Sequence, residues 1–187
     1  WSADLLRPLA EQGWHTASTH PAFSFAQVAQ SASQFPGTLC ALEGDATART
    51  EAERAYHAIG AQCFPLTAEA KPLYHAAAVL ASNFLPVLHA AASELWQHAG
   101  VPAAHVPTLA NGFVQRATAN LQALGPQAAL TGPAARGDTA VVQAQTTALA
   151  AHDATLGEAY AALSTLAARL AQHGKVIHPE NQDSTPQ

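Results

Sequence analysis

Four polar side chains interrupt an otherwise apolar, alanine-rich stretch: Lys71, His75, Ser82 and Asn83, within Lys71-Pro72-Leu73-Tyr74-His75-Ala76-Ala77-Ala78-Val79-Leu80-Ala81-Ser82-Asn83. In a helix advancing about 100° per residue, His75 lies about 40° from Lys71, and Ser82 returns to within about 20° of both. The three therefore form one stripe. A cation and an imidazole on such a stripe could polarise a carbonyl and donate a proton, which makes Lys71 and His75 the catalytic candidates. The alternative is a solvated helix start, with the lysine reaching water along its aliphatic stem. Pro86 favours a cleft, because it has no N–H for the carbonyl of Ser82 and tends to kink the helix there. Asn83 is then either a substrate-binding amide beside Ser82 or the partner of that freed carbonyl.

Two further groups could touch a ligand. His20-Pro21 ends a predicted strand, the edge at which open α/β sheets bind ligands. The other reading of His20 is a strand-end imidazole satisfying a backbone group. Between helices, Thr131-Gly132-Pro133-Ala134-Ala135-Arg136-Gly137-Asp138 could present backbone amides, Thr131 and Arg136 to an anionic substrate group. Equally, it could be a turn in which Arg136 pairs with Asp138. The remaining histidines show no HxxxH or HxH spacing, so no metal site is expected. Cys40 and Cys63 are not a CxxC pair and sit in short apolar runs, as buried thiols do.

The elements that must position these groups fall into two blocks. Residues 1–66 alternate: a helix over Ser2–Gln12, a strand over Trp14–Thr19, a short helix or loop over Phe23–Ser33, a strand over Thr38–Glu43, a helix over Ala46–Ile59 capped by Gly44-Asp45, and a strand over Ala61–Leu66. Strands alternating with helices predict a parallel or mostly parallel sheet. Residues 67–174 are helical in pattern: a first helix to about His98, a second over Ala103–Leu124 with a loop from Gly125-Pro126, a third from Asp138 to His152, and a last one capped by Asp153 or Thr155 and ending near Gly174. Residues 175–187 form a polar tail, expected to be disordered.

A chain of 187 residues can bury a core of one or two domains. The net charge of -5 and only 8 scattered Lys and Arg exclude a phosphate-tracking basic surface, so nucleic acid is not an expected partner. Charged residues are 11% of the chain, against about 25% in an average globular protein. From Pro72 to Ser93 there is no Asp, Glu, Lys or Arg at all. His75, Asn83, Pro86 and His89 interrupt that run, which speaks for a helix covered by its own domain or by a second subunit rather than for a membrane span. The chain opens on Trp1, contains no Met and carries no signal-peptide pattern. It is expected to be the C-terminal portion of a longer, cytoplasmic protein.

Taken in order, several motifs resemble those of one bacterial family. They are His20-Pro21 with Phe23-Ser24-Phe25, Glu43-Gly44 after a strand, Lys71 with Tyr74-His75-Ala76-Ala77-Ala78 and Ala81-Ser82-Asn83, Asn120-Leu121 with Leu124-Gly125-Pro126, and Leu130-Thr131-Gly132-Pro133 with Arg136-Gly137-Asp138. They span most of residues 1–172. The family joins a Rossmann-like nucleotide-binding domain to the C-terminal domain of unknown function 2520 (DUF2520). The resemblance implies an α/β domain followed by an all-α domain like that of 6-phosphogluconate dehydrogenase, which forms the substrate cleft and commonly the dimer interface. It also implies an NAD(P)-dependent oxidoreductase acting on a small carbonyl or imine, with NADP or NAD as cofactor, His20 and Pro21 on the cofactor side, and a homodimeric assembly. A Lys and an Asn on the long helix typically contact substrate in that superfamily; Lys71, His75, Ser82 and Asn83 are the matching positions here, without the close Lys-x-x-x-Asn spacing. The family's Gly-rich turn after the first strand does not occur in this chain, so the chain alone is expected to bind a dinucleotide weakly or not at all. A non-catalytic dimerisation or nucleotide-sensing module is the other reading.

Overall fold

The computed structural model describes residues 2–25 and 28–177. Most of the expected tail, and two residues of the expected Phe23–Ser33 helix or loop, lie outside the described residues. Leu39-Cys40-Ala41-Leu42-Glu43-Gly44 forms the central strand β2, whose four middle residues are all buried. Such a continuously buried run is what a strand flanked on both sides requires. It pairs with β1 (Ala17–Pro21) on one side and β3 (Gln62–Pro65) on the other.

The sheet is mixed. β2 and β3 are parallel, with Cys40 opposite Cys63, as the crossover through α3 (Ala46–Ala58) demands. β1 is antiparallel to β2, with Ala17 opposite Gly44 and Pro21 opposite Cys40, so that half of the pairing departs from the expected parallel or mostly parallel sheet. The chain leaves β1 at Pro21, passes through the short helix α2 (Val28–Gln34) and enters β2 beside that same end of β1.

Residues Glu43-Gly44-Asp45 join three elements. Gly44 has φ 122°, and a Cβ there would meet the Thr16 carbonyl oxygen at 2.5 Å and Ala17 Cα at 2.7 Å, so β1 passes at a distance only glycine permits. Asp45 caps α3 by accepting from the Thr47 N–H at 2.8 Å and the Ala48 N–H at 3.3 Å. Against a desolvation cost, those amides and His15 hold its carboxyl below the usual range. A small core of Phe35, Cys40 and Ala61, with Phe23, Tyr56 and Cys63 against it, sits on the sheet. At the N-terminus, Pro8 interrupts the expected single helix, which becomes a 3-10 turn (Ala3–Leu6) and the four-residue α1 (Arg7–Ala10).

The long helix is in three pieces. α4 (Lys71–Ala78) passes into a π-turn over Val79–Asn83, followed by α5 (Phe84–His98). The Phe84 N–H reaches back to the Val79 carbonyl instead of the Leu80 carbonyl. Pro86, lacking an N–H for Ser82, accounts for a loosened ladder at this point.

Packing divides the chain into Trp1–Glu94 and Leu95–Gln187. This division falls later than the change from strands to helices at 66/67, because α4 is tied to the sheet by an ion pair described below. The second unit holds α6 (Val106–Ala129), α7 (Pro133–Arg136), α8 (Thr139–His152) and α9 (Ala154–His173). Gly125 (φ 76°, ψ 170°) kinks α6 where a loop is expected, and the helix resumes through Ala129. Asp153 caps α9 through the Leu156 N–H at 2.8 Å. α8 and α9 touch closely at Gly157, where a Cβ would meet that of Ala150 at 2.8 Å.

Candidate functional site

Within the first unit, the end of β1 and one face of α4 bound a cavity of about 360 Å³. His20, Phe23 and Ser24 line it from the strand and the turn beyond, and His75, Ser82 and Asn83 from α4 and the π-turn. The period of α4 brings His75 to the strand end, and the π-turn swings Ser82 and Asn83 to the same side. Ser82 Oγ lies 2.7 Å from the Ala78 carbonyl oxygen and 2.8 Å from Asn83 Oδ1. The single hydroxyl proton of Ser82 serves one of these two oxygens, and the Asn83 amide keeps an N–H to donate.

The two imidazoles meet. His75 Nδ1 is 3.2 Å from His20 Nε2, with the rings nearly perpendicular at 88°. One nitrogen must carry a proton and the other a lone pair, so the pair holds a single shared proton when both rings are neutral. His20 also meets the Tyr74 ring edge-on, and its Nδ1 is buried without a hydrogen bond among the described residues. Burial first, then the neighbouring His75 and Lys71, lower the His20 pKa from its ordinary 6.5, partly offset by its own backbone. His75 is the exposed member and lines the cavity. Tyr74 stacks edge-on with Phe64; its hydroxyl is buried without a partner among the described residues, and burial followed by Cys40 raises its pKa.

Lys71 takes a different place from the one its position on the stripe suggests. Its Nζ is 3.1 Å from Glu43 Oε2, both side chains being 9% exposed, and it donates to Ser18 Oγ. Glu43 further accepts from the Ala3 N–H at 2.9 Å. Lys71 is thus neither solvated nor among the residues lining the cavity. At the first turn of α4, its side chain drops onto the sheet, where a buried carboxylate needs a cation. The signal was available in sequence: Glu43 follows a buried apolar run, and such a carboxylate requires a partner.

The structure gathers His20, Pro21, His75, Ser82 and Asn83 around one cavity. Arg136 belongs to the second unit, where it pairs with Asp138 at 3.1 Å, and Thr131 lies in the turn before α7. Phe23, Ser24 and Tyr74 are the contributors that residue type alone did not single out, although Tyr74 adjoins His75. Cys40 and Cys63 are free thiols. Among the described residues, no group of three or more His, Cys, Asp or Glu could hold a metal ion.

An α/β unit with an imidazole pair at a strand end, continued by a helical unit, is the class of protein that results. The chain belongs to the family described as Domain of unknown function (DUF2520), which matches residues 38–167. No curated protein matches it. Its fold is similar to the crystal structure of protein TM1727 from Thermotoga maritima, with TM-score 0.70 and 24% identity over 92% of this chain and 66% of that one. It is also similar to a Bacteroides fragilis protein named "putative NADP oxidoreductase BF3122", with TM-score 0.57 and 23% identity over 72% of this chain and 51% of that one. The chain therefore spans about half to two thirds of the length of these relatives.

Proposed function

We propose that the protein is a cytoplasmic NAD(P)-dependent reductase of a small carbonyl or imine, in which His75 protonates the atom that gains the electron pair and His20 orients it. The observation that carries this reading is the His20–His75 pair at the rim of a cavity also lined by Ser82 and Asn83. The fold likeness to the Bacteroides fragilis protein, named for NADP, supports it. The α/β unit is read as part of a Rossmann-like sheet and the helices as a domain like that of 6-phosphogluconate dehydrogenase.

The residues of this chain do not fit the cofactor's pyrophosphate. The junction from the parallel strand β2 into α3 has its first free amides filled by the Asp45 carboxylate, so an anion there would meet like charge, and the helix that follows β3, α4, opens with Pro72 in place of an amide donor. NADP or NAD contacts are therefore assigned to sequence outside this chain, with His20 and Pro21 at most bordering them. Neutral His20 accepts from His75 Nδ1–H, so that a protonated His75 presents Nε2–H to the substrate oxygen or nitrogen. Asn83 Nδ2 offers a second donor to the same atom. Burial of His20 keeps it the unprotonated partner, which fixes the direction of the pair.

The test is NADPH or NADH oxidation by the full-length protein against a panel of small ketones and cyclic imines. His75→Gln should lower turnover about 100-fold or more, with unfolding temperature little changed. Full-length protein that fails to bind either nucleotide would sink the reading in favour of a non-catalytic module.

A further inference from the structure

The parallel half of the sheet brings two thiols onto one rung. Cys40 of β2 and Cys63 of β3 are register partners, so their side chains leave the same face of the sheet. On that face Cys40 lies in the small core and Cys63 packs against it. The sulfurs are within hydrogen-bonding reach, the Cys40 S–H donating to Cys63. Neighbouring strands run about 4.8 Å apart, inside the Cα separation of about 4.4 to 6.8 Å that a disulfide spans. The backbone is already where a bond between the two would need it.

The two thiols differ in access. Cys40 is fully buried, whereas Cys63 is half-buried and lines a second cavity, of about 260 Å³, with Phe64 of β3 and with Arg49 and Glu53 of α3. A small reagent entering that cavity meets Cys63, and Cys40 needs no access of its own to react with its neighbour. Burial and then the Glu53 carboxylate push the Cys63 pKa up, against the hydrogen bond from Cys40. Thiolate is therefore scarce at neutral pH, and attack through Cys63 is slow there and faster in mild base.

We propose that a peroxide converts Cys40 and Cys63 into a reversible intramolecular disulfide, with Cys63 oxidised first and Cys40 resolving it. The Cys63 thiolate attacks one oxygen of hydrogen peroxide, the O–O bond breaks, and hydroxide leaves while Cys63 becomes a sulfenic acid. The Cys40 sulfur then attacks the Cys63 sulfur; the S–O bond breaks, and the hydroxyl departs with the Cys40 proton as water. Two thiols and one hydrogen peroxide thus give one disulfide and two waters. Closing the bond draws the two β-carbons together to about 3.8 Å, and a cross-link held under such strain is readily returned to thiols by a dithiol reductant.

The experiment treats the reduced protein with hydrogen peroxide under native conditions, alkylates the remaining thiols with N-ethylmaleimide in denaturant, and reads the product by mass spectrometry. The chain contains no Met to consume the peroxide. The product should lack two hydrogens, take up no maleimide and yield a peptide joined through Cys40 and Cys63, and dithiothreitol should restore both thiols. Cys40→Ser should leave Cys63 as a sulfenic acid that dimedone traps, and Cys63→Ser should leave Cys40 unreacted. The rate should rise about tenfold per pH unit between about pH 6 and pH 8, and Glu53→Gln should raise it at fixed pH. Protein that keeps both thiols, that links two chains instead, or that gains oxygen at Cys63 while Cys40 still takes up maleimide would overturn the proposal. The wild-type cross-link needs no variant, so it decides the matter if a serine variant does not fold. Neither nucleotide nor reductase substrate enters the experiment, and its outcome is independent of the reductase reading.

Discussion

Lys71 and His75 are four residues apart on one helix, yet the surroundings give them opposite work. Lys71 compensates a carboxylate that also holds the Ala3 amide. Replacing Lys71 by Met strands that charge, and breaking a buried pair costs about 3 to 5 kcal/mol. Denaturant unfolding of Lys71→Met should show this loss, and adding Glu43→Gln should restore most of it; a single variant of wild-type stability would mean the pair is solvated after all. His20 gives a pH signature. Its folded pKa lies below 6.5, so as pH falls below that value the unfolded state takes up a proton the folded state refuses. Stability is therefore unaffected above about pH 7.5 and declines on acidification towards the folded pKa. His20→Asn should flatten the slope between about pH 7 and pH 5. An unchanged slope would place the acid sensitivity elsewhere.

At the scale of elements, helices are decided by packing as much as by propensity. Gly157 lies in the first turn and a half of α9, a place where alanine ordinarily gains about 1 kcal/mol. Here a Cβ would meet Ala150 Cβ at 2.8 Å and Ala150 Cα at 2.9 Å. Gly157→Ala should instead lower stability by about 1 to 3 kcal/mol, read from chemical denaturation; a gain would show that α8 and α9 separate freely. This contrast explains what the sequence made legible. Caps at Asp45 and Asp153, the stop at Gly174 and the loosened ladder before Pro86 rest on local chemistry, and each occurs where that chemistry puts it. The direction of β1 is set by its long-range pairing with β2, and the partner of Lys71 is a carboxylate 28 residues away. Neither is visible in periodicity. For the candidate site, the helix period placed His75 and Ser82 on one side, and both line the cavity, whereas the meeting of His20 with His75 joins residues 55 apart and is not legible in the sequence.

For the whole molecule, the decisive feature is the apolar surface of Lys71–His98. By length and composition alone this 28-residue helix could cross a membrane: its most apolar 18-residue stretch has mean hydropathy 1.4 and is not buried within the chain. Leu73, Leu80, Phe84, Leu85, Val87 and Leu88 are all exposed. Of its polar groups, Lys71 belongs to the ion pair, and His75, Ser82 and Asn83 line the cavity, which ties its first half to the α/β unit. We therefore expect a second copy to cover this face. Light scattering in detergent-free buffer should give twice the chain mass, and Leu80→Glu with Leu88→Glu should give monomers of unchanged helicity. A wild-type monomer, or protein that partitions into lipid vesicles, would overturn the dimer.

Three consecutive residues, Glu43, Gly44 and Asp45, anchor α4, admit β1 and start α3. Loosening any one of these attachments exposes the other two. Amide protons of β1, the first turn of α3 and the first turn of α4 should then exchange with solvent as a single cooperative block, the same opening event setting all their rates. The His20–His75 cavity is built from two of those segments and would be lost in the same event, so the lifetime of the site is that of one tripeptide's contacts.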